Sequence, residues 1–121
     1  MPIRGIRGAT TVTADEPDLV LQATRELIEA ILASNSGLKT EDMSSVIFTV
    51  TEDLVSVFPA QAAREMGWDQ VPMVCAREIP VKGSLPHCVR VLIHWNTENA
   101  QNKIKHIYLR NAVTLRPDLS E

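Results

Sequence analysis

Cys88-Val89-Arg90-Val91-Leu92-Ile93-His94-Trp95 is an extended run in which apolar and mixed positions alternate. Period two places Val89, Val91, Ile93 and Trp95 on one face of a strand, and Cys88, Arg90, Leu92 and His94 on the other. The first face reads as core. Arg90 then stands in mid-sheet on the second face, as a solvated side chain, as the partner of a local acid, or as a cation awaiting an anion. Upstream, Pro72 starts a second extended run, Met73 to Val81. Lys82-Gly83-Ser84-Leu85-Pro86 between the two has the Gly and Pro of a hairpin connection.

Farther out, Ser45 to Thr51 alternates Val46, Phe48 and Val50 against Ile47, Thr49 and Thr51, as a sheet strand does. Ile3 to Val12 is a Gly-containing strand with a bulge or a close backbone approach at Gly5 or Gly8. Between these two lies the clearest element, a helix opened by Asp15 and Pro17 and closed by Gly37. It carries Val20, Ala23 or Thr24, Leu27, Ile28, Ile31 and Leu32 at helical spacing. Thr40-Glu41-Asp42 reads as a capped helical turn. Phe58 to Gly67, Ala-rich with an early Pro and a terminal Gly, predicts a second helix of two to three turns. A short helical turn near Ala100 to Lys103 and a last strand at His106 to Arg110 complete the order β-α-β-α-β-β-β. This is the α+β class, a mixed sheet with helices on one face.

The 121 residues are expected to form a single domain, 1–121, and with 45% hydrophobic and 22% charged residues the composition is that of a globular protein. A net charge of -3, with no Lys/Arg run, argues against a nucleic-acid partner. The start of the chain lacks a signal peptide's apolar stretch, and no segment approaches the roughly 20 apolar residues that span a bilayer, so a cytoplasmic protein without a membrane partner is expected. Cys75 and Cys88 lie outside any CxxC pattern and read as reduced thiols. His87, His94 and His106 share no metal-ligand spacing with each other or with the cysteines, so no metal is assigned.

Eight of the 12 basic residues are Arg, the cation whose planar fork pairs with a carboxylate. Arg7 shares a strand face with Ile3 and Gly5, while Ile6 and Gly8 take the other. Two arginines on core-type strands, Arg7 and Arg90, fit a buried anionic ligand, because unpaired buried charge is costly. Glu78 lies in an otherwise apolar run, as an ion-pair partner or as an acceptor for a ligand hydroxyl. Tyr108, the single tyrosine, is a packed residue with a satisfied hydroxyl or a group at a site.

Taken together, Ile3-Arg4-Gly5-Ile6-Arg7-Gly8-Ala9-Thr10-Thr11, Phe58-Pro59-Ala60, Val71-Pro72, Cys75 with Glu78, Cys88-Val89-Arg90-Val91, His106-Ile107-Tyr108-Leu109 and Leu115-Arg116-Pro117-Asp118-Leu119 resemble the AroH-class monofunctional chorismate mutases. The resemblance covers essentially the whole chain. It implies the Bacillus chorismate mutase-like fold, a trimeric pseudo α/β barrel with active sites between subunits of a homotrimer. It also implies the [3,3] Claisen rearrangement of chorismate to prephenate, on the route to phenylalanine and tyrosine, with no cofactor.

In that family the breaking C–O bond leaves negative charge on the ether oxygen. Arg90 resembles the residue that meets this charge, and Arg7 its partner at the enolpyruvyl carboxylate, with Tyr108 orienting the same group. Glu78 and Cys75 resemble the pair around the ring hydroxyl. Phe58, Ala60, Met73, Val74 and Leu115 correspond to pocket-lining positions, and Arg64 and Arg116 to cations near the rim. Gln61 stands where a relative carries Lys, and Arg77 where Gln is usual. Cys75 and Glu78, three apart, face opposite ways on a regular strand, so a shared ligand requires a bulge or the strand's end near Ala76 or Arg77.

Overall fold

The computed structural model describes residues 1–115. In chain order the elements are β1 (Ile3–Thr11), α1 (Pro17–Ser34), β2 (Met43–Val50), α2 (Ala60–Glu65), β3 (Met73–Arg77), β4 (Cys88–Asn96) and β5 (Ile107–Tyr108), with 3-10 turns at Thr40–Asp42, Gln101–Lys103 and Arg110–Thr114. They form one five-stranded sheet in the order β3-β2-β4-β1-β5. β4 is central and antiparallel to β1 and β2, whereas β2–β3 and β1–β5 are parallel. The mixed sheet expected from the element order is therefore present.

The period-two reading of β4 holds residue by residue. Val89, Val91, Ile93 and Trp95 are buried, while Arg90, Leu92 and His94 are half-buried. Cross-strand pairing carries the two faces through the sheet. Ile6 lies opposite Ile93, which lies opposite Val46, and Val91 lies opposite both Gly8 and Phe48. That face is sealed by the α1 stripe Leu27, Ile28 and Ile31 and by Ala60 and Ala63 of α2, so both helices cover the same side. Each such large side chain contributes about 1.5–3 kcal/mol by leaving water.

Pro17 at the first helical turn and Asp18 near the positive end of the helix favour the start of α1. Asp15 does not cap it. Its carboxylate instead accepts the backbone N–H groups of Val55 and Ser56, both at 3.1 Å, tying the loop before α2 to the start of α1. At the other end the Asn35 backbone N–H and side-chain amide both reach Ile31 O, and Gly37 follows at φ +85°. Of the two glycines proposed for β1, Gly8 is the close approach. A Cβ there would lie 2.8 Å from Ile31 Cδ1 and 3.1 Å from Val91 Cγ1, so α1 sits directly on β1 at this point. The β1–β4 ladder itself runs unbroken, and the register shift of the sheet is in β2, between Met43 and Ser45.

Four expectations need correction. β3 and β4 are not a hairpin, because β2 lies between them. The connection 78–87 is long enough to carry the chain past one strand, and alternation in sequence reports a residue's face but not its neighbour strand. β3 also ends at Arg77 and does not reach Val81. Its partner β2 stops at Val50, whose carbonyl accepts one more N–H from Glu78, and Pro80 beyond has none to offer. The last strand is Ile107–Tyr108 only, and α2 is the six residues Ala60–Glu65.

Candidate active site

The face of the sheet opposite the helices carries the charged side chains. Ala9 lies opposite Arg90 and Arg7 opposite Leu92 on β1 and β4. On the other flank Thr49 of β2 is paired with Arg90 and with Ala76 of β3. Glu78, one step beyond β3, has the parity of Ala76 and turns to the same side. A cavity of about 380 Å³ opens here, lined by Arg7, Thr49, Glu78, Arg90, Tyr108 and Leu115 among others. Four of the five polar residues assigned to catalysis are thus brought together from three strands and the end of a fourth.

Within the cavity, Arg90 Nε stands 3.7 Å from Glu78 Oε2. This is an ion pair at a distance too long for a hydrogen bond. The Arg90 Nε atom is buried and has no hydrogen-bond partner among the described residues, a state that costs about 1–3 kcal/mol. Glu78 Oε2 is taken up by the Thr49 hydroxyl, which donates to it. Arg7 is exposed and forms no ion pair with a described residue, so its guanidinium is available to an anion. Two cations and one carboxylate around an open hollow can bind a dianion and place a donor against a third oxygen.

The β1 side of the cavity is held by side chains that stand in for a strand. β5 pairs with β1 only at Gly8 and Ala9. Below that, the Arg7 N–H donates to His106 Nδ1 at 2.9 Å. Gly5 N–H donates to Gln101 Oε1, and Gln101 Nε2 donates back to Gly5 O. Asn35, buried at the end of α1, donates to Lys105 O and accepts from Lys105 N–H. Tyr108 is consequently fixed beside Ala9, against Cys88 and Ala112.

The remaining predicted positions lie elsewhere. Cys75 is opposite Phe48 in an unshifted β2–β3 register, on the helix-covered face, and it lines a different cavity of about 540 Å³ with Phe58, Gln61 and Arg77. No bulge reverses its parity, so within one chain its side chain does not meet Glu78. Phe58 is 68% and Val74 60% exposed. Arg64 is exposed on α2, Met73 is half-buried, and Ala60 is buried in the core. Arg116 lies outside the described residues. Cys88 is buried, and burial raises its thiol pKa, partly offset by Arg90, which keeps it a protonated packing residue. Among the described residues no helix is long and apolar enough to cross a membrane, and no cluster of His, Cys, Asp or Glu could hold a metal.

Two elements escaped the sequence reading. Thr49 sat on the correct face, but its closeness to Glu78 depends on the β2–β3 register. The second is the Asp53 knot, in which the carboxylate accepts the Thr51 hydroxyl and the His87 N–H while the Thr51 oxygen accepts the Cys88 N–H. It fixes the start of β4, two residues before Arg90. A Thr-Glu-Asp motif after a strand, typical of side chains bonding nearby backbone, was its only sequence signal.

Residues 3–119 match the family model of chorismate mutase type I. The chain is 56% identical over 117 residues to "Chorismate mutase AroH" of Thermus thermophilus, covering 97% of this chain and 96% of that one. It is 47% identical over 121 residues to "Chorismate mutase AroH" of Bacillus subtilis, covering 99% and 94%. Among solved structures, the chorismate mutase from Clostridium thermocellum is similar at a TM-score of 0.88 and 45% identity, over 91% of this chain and 97% of that one.

Proposed function

The chain belongs to the chorismate mutase type I family and converts chorismate to prephenate, and on that premise we propose that the cavity around Arg7, Glu78, Arg90 and Tyr108 is its active site. The observation that carries the proposal is the joint lining of one hollow by these four residues. Binding a dicarboxylate needs the arginines alone, whereas the carboxylate and phenol add contacts suited to a ring hydroxyl and an enolpyruvyl group. Arg90 donates to the ether oxygen as the C–O bond breaks, where negative charge grows, so its bond strengthens most in the transition state. Arg7 and Tyr108 hold the enolpyruvyl carboxylate and select the folded conformer. Glu78 accepts the ring hydroxyl and faces the ring as it gains positive character. The rearrangement is a [3,3] shift in which a C–C bond forms as the C–O bond breaks, so its bonds balance within one molecule without net proton or electron transfer.

The site is completed in a homotrimer, with a neighbouring subunit contributing Phe58, Arg64, Met73 and Val74, and with Leu115 lining it beside Arg7 and Tyr108. Cys75 reaches the ring hydroxyl through its main chain or from the neighbour, since its side chain and that of Glu78 have opposite parity. The exposure of Phe58 and Val74, large apolar groups uncovered in one chain, supports such an interface. We place the whole chain, 1–121, as a single domain working in the cytoplasm.

Incubation with chorismate tests the activity, by loss of its diene absorbance and appearance of prephenate. Shared sites are tested by mixing Arg90→Ala and Arg64→Ala chains after unfolding. Mixed assemblies regain activity above either parent when each variant supplies the half-site the other lacks. No regain places Arg64 and Arg90 of one site on the same chain.

A further inference from the structure

We infer that Thr49 is a positioning residue that holds Glu78 off Arg90 and so keeps Arg90 free for the substrate, an inference that rests on the roles proposed above for Glu78 and Arg90. Glu78 Oε2 lies between two donors, the Thr49 hydroxyl, which reaches it, and Arg90 Nε, which stops at 3.7 Å. Arg90 Nε is buried and otherwise unpartnered among the described residues. A carboxylate this near a guanidinium gains by closing the gap, because a charge-assisted hydrogen bond is stronger than a separated pair. What opposes closure is visible. Thr49 occupies the strand position directly opposite Arg90, and its hydroxyl draws the same oxygen toward β2.

Two consequences follow from the geometry. Among the described residues only Oε2 is engaged, so Oε1 remains for a ligand hydroxyl, and the carboxylate arrives already oriented. Equally, the ion pair stays open at 3.7 Å, so substrate has no direct Arg90–Glu78 hydrogen bond to break. A β-branched residue at this strand position also restricts its own rotamers, which fixes the hydroxyl's direction.

The test is a double-mutant cycle on kcat/KM with Thr49→Val and Glu78→Ala, alongside Thr49→Ser. Valine keeps shape and branching and removes the donor. Thr49→Val is expected to lose about tenfold in kcat/KM, the size of one hydrogen bond to a charged group. Serine restores activity to within about twofold, and in the Glu78→Ala background Thr49→Val has no further effect. A crystal structure of the valine variant should show Glu78 Oε2 closed onto Arg90 Nε. Full activity of Thr49→Val, or an undiminished loss when Glu78 is already absent, overturns the inference while leaving the site intact. If Glu78→Ala itself leaves kcat/KM unchanged, the role proposed for Glu78 fails, and the positioning role falls with it.

Discussion

Along β4, consecutive residues belong to two different environments. Val89, Val91, Ile93 and Trp95 are sealed in the core, while Arg90, Leu92 and His94, interleaved with them, stay half-open, the first two lining the candidate site. The strand's backbone is shared, so the rigidity that close packing imposes on one face is conferred on the guanidinium of the other. A site whose work is electrostatic preorganisation gains from such an arrangement, because its donors must not relax when charge moves. Substitutions should therefore separate by face, with covered positions changing stability and open ones changing rate.

The largest effect is expected on the covered side. Phe48 is fully buried, opposite Val91, and Phe48→Ala should cost about 3–5 kcal/mol of stability. It is read as a lower denaturation midpoint, with kcat preserved in the fraction that stays folded at low temperature. A proportional loss of kcat without loss of stability would break the division between faces.

On the open side, Arg90→Lys keeps the charge but removes the fork that serves two oxygens at once. A loss of about 3–4 kcal/mol in transition-state stabilisation is expected, with the melting temperature little changed. Near-normal kcat/KM would remove Arg90 from its role. Smaller than either is the effect of Gly8→Ala, where α1 sits on β1. The added Cβ would press on Ile31, Leu27 and Val91 and should destabilise by about 1–3 kcal/mol. Compensation by Ile31→Val, measured in the same unfolding experiment, would locate the clash.

The contrast between faces was legible in sequence because period two is a local property, and it set Arg7 apart from Ile6 and Arg90 apart from Val91. Strand neighbours are not a local property. The hairpin expected between β3 and β4 failed because nothing in the run 82–86 reports that β2 will occupy the place between them. Parity exposed the conflict between Cys75 and Glu78, and the unshifted register keeps their side chains on opposite faces. Thr49 and Asp53 were illegible for a related reason. A hydroxyl or carboxylate acquires its role from what lies across a ladder or a loop, and three-dimensional register decides that.

The smallest expected effect sharpens the comparison from the strand's end. Residue 87 sets where β4 begins, and His87 has φ 50°, a left-handed conformation that a non-glycine residue adopts only when held. Asp53 holds it, accepting the His87 N–H and standing 3.8 Å from Nε2. Burial works to raise the Asp53 pKa, but the hydrogen bonds from the Thr51 hydroxyl and the His87 N–H, with the nearby imidazole, bring it below its ordinary 3.8. A carboxyl whose folded pKa is depressed contributes stability that is fully present above its unfolded pKa and is lost as pH falls through the folded one. The carboxylate is about a third exposed, so water screens the gain and Asp53→Asn should cost about 1 kcal/mol at neutral pH. Denaturation curves of the two proteins should differ at pH 7, begin to converge as pH falls through 3.8, and meet only below the depressed folded pKa. A gap that stays constant through that range would mean the charge contributes nothing, and that Asp53 holds the His87 turn as a neutral acceptor would.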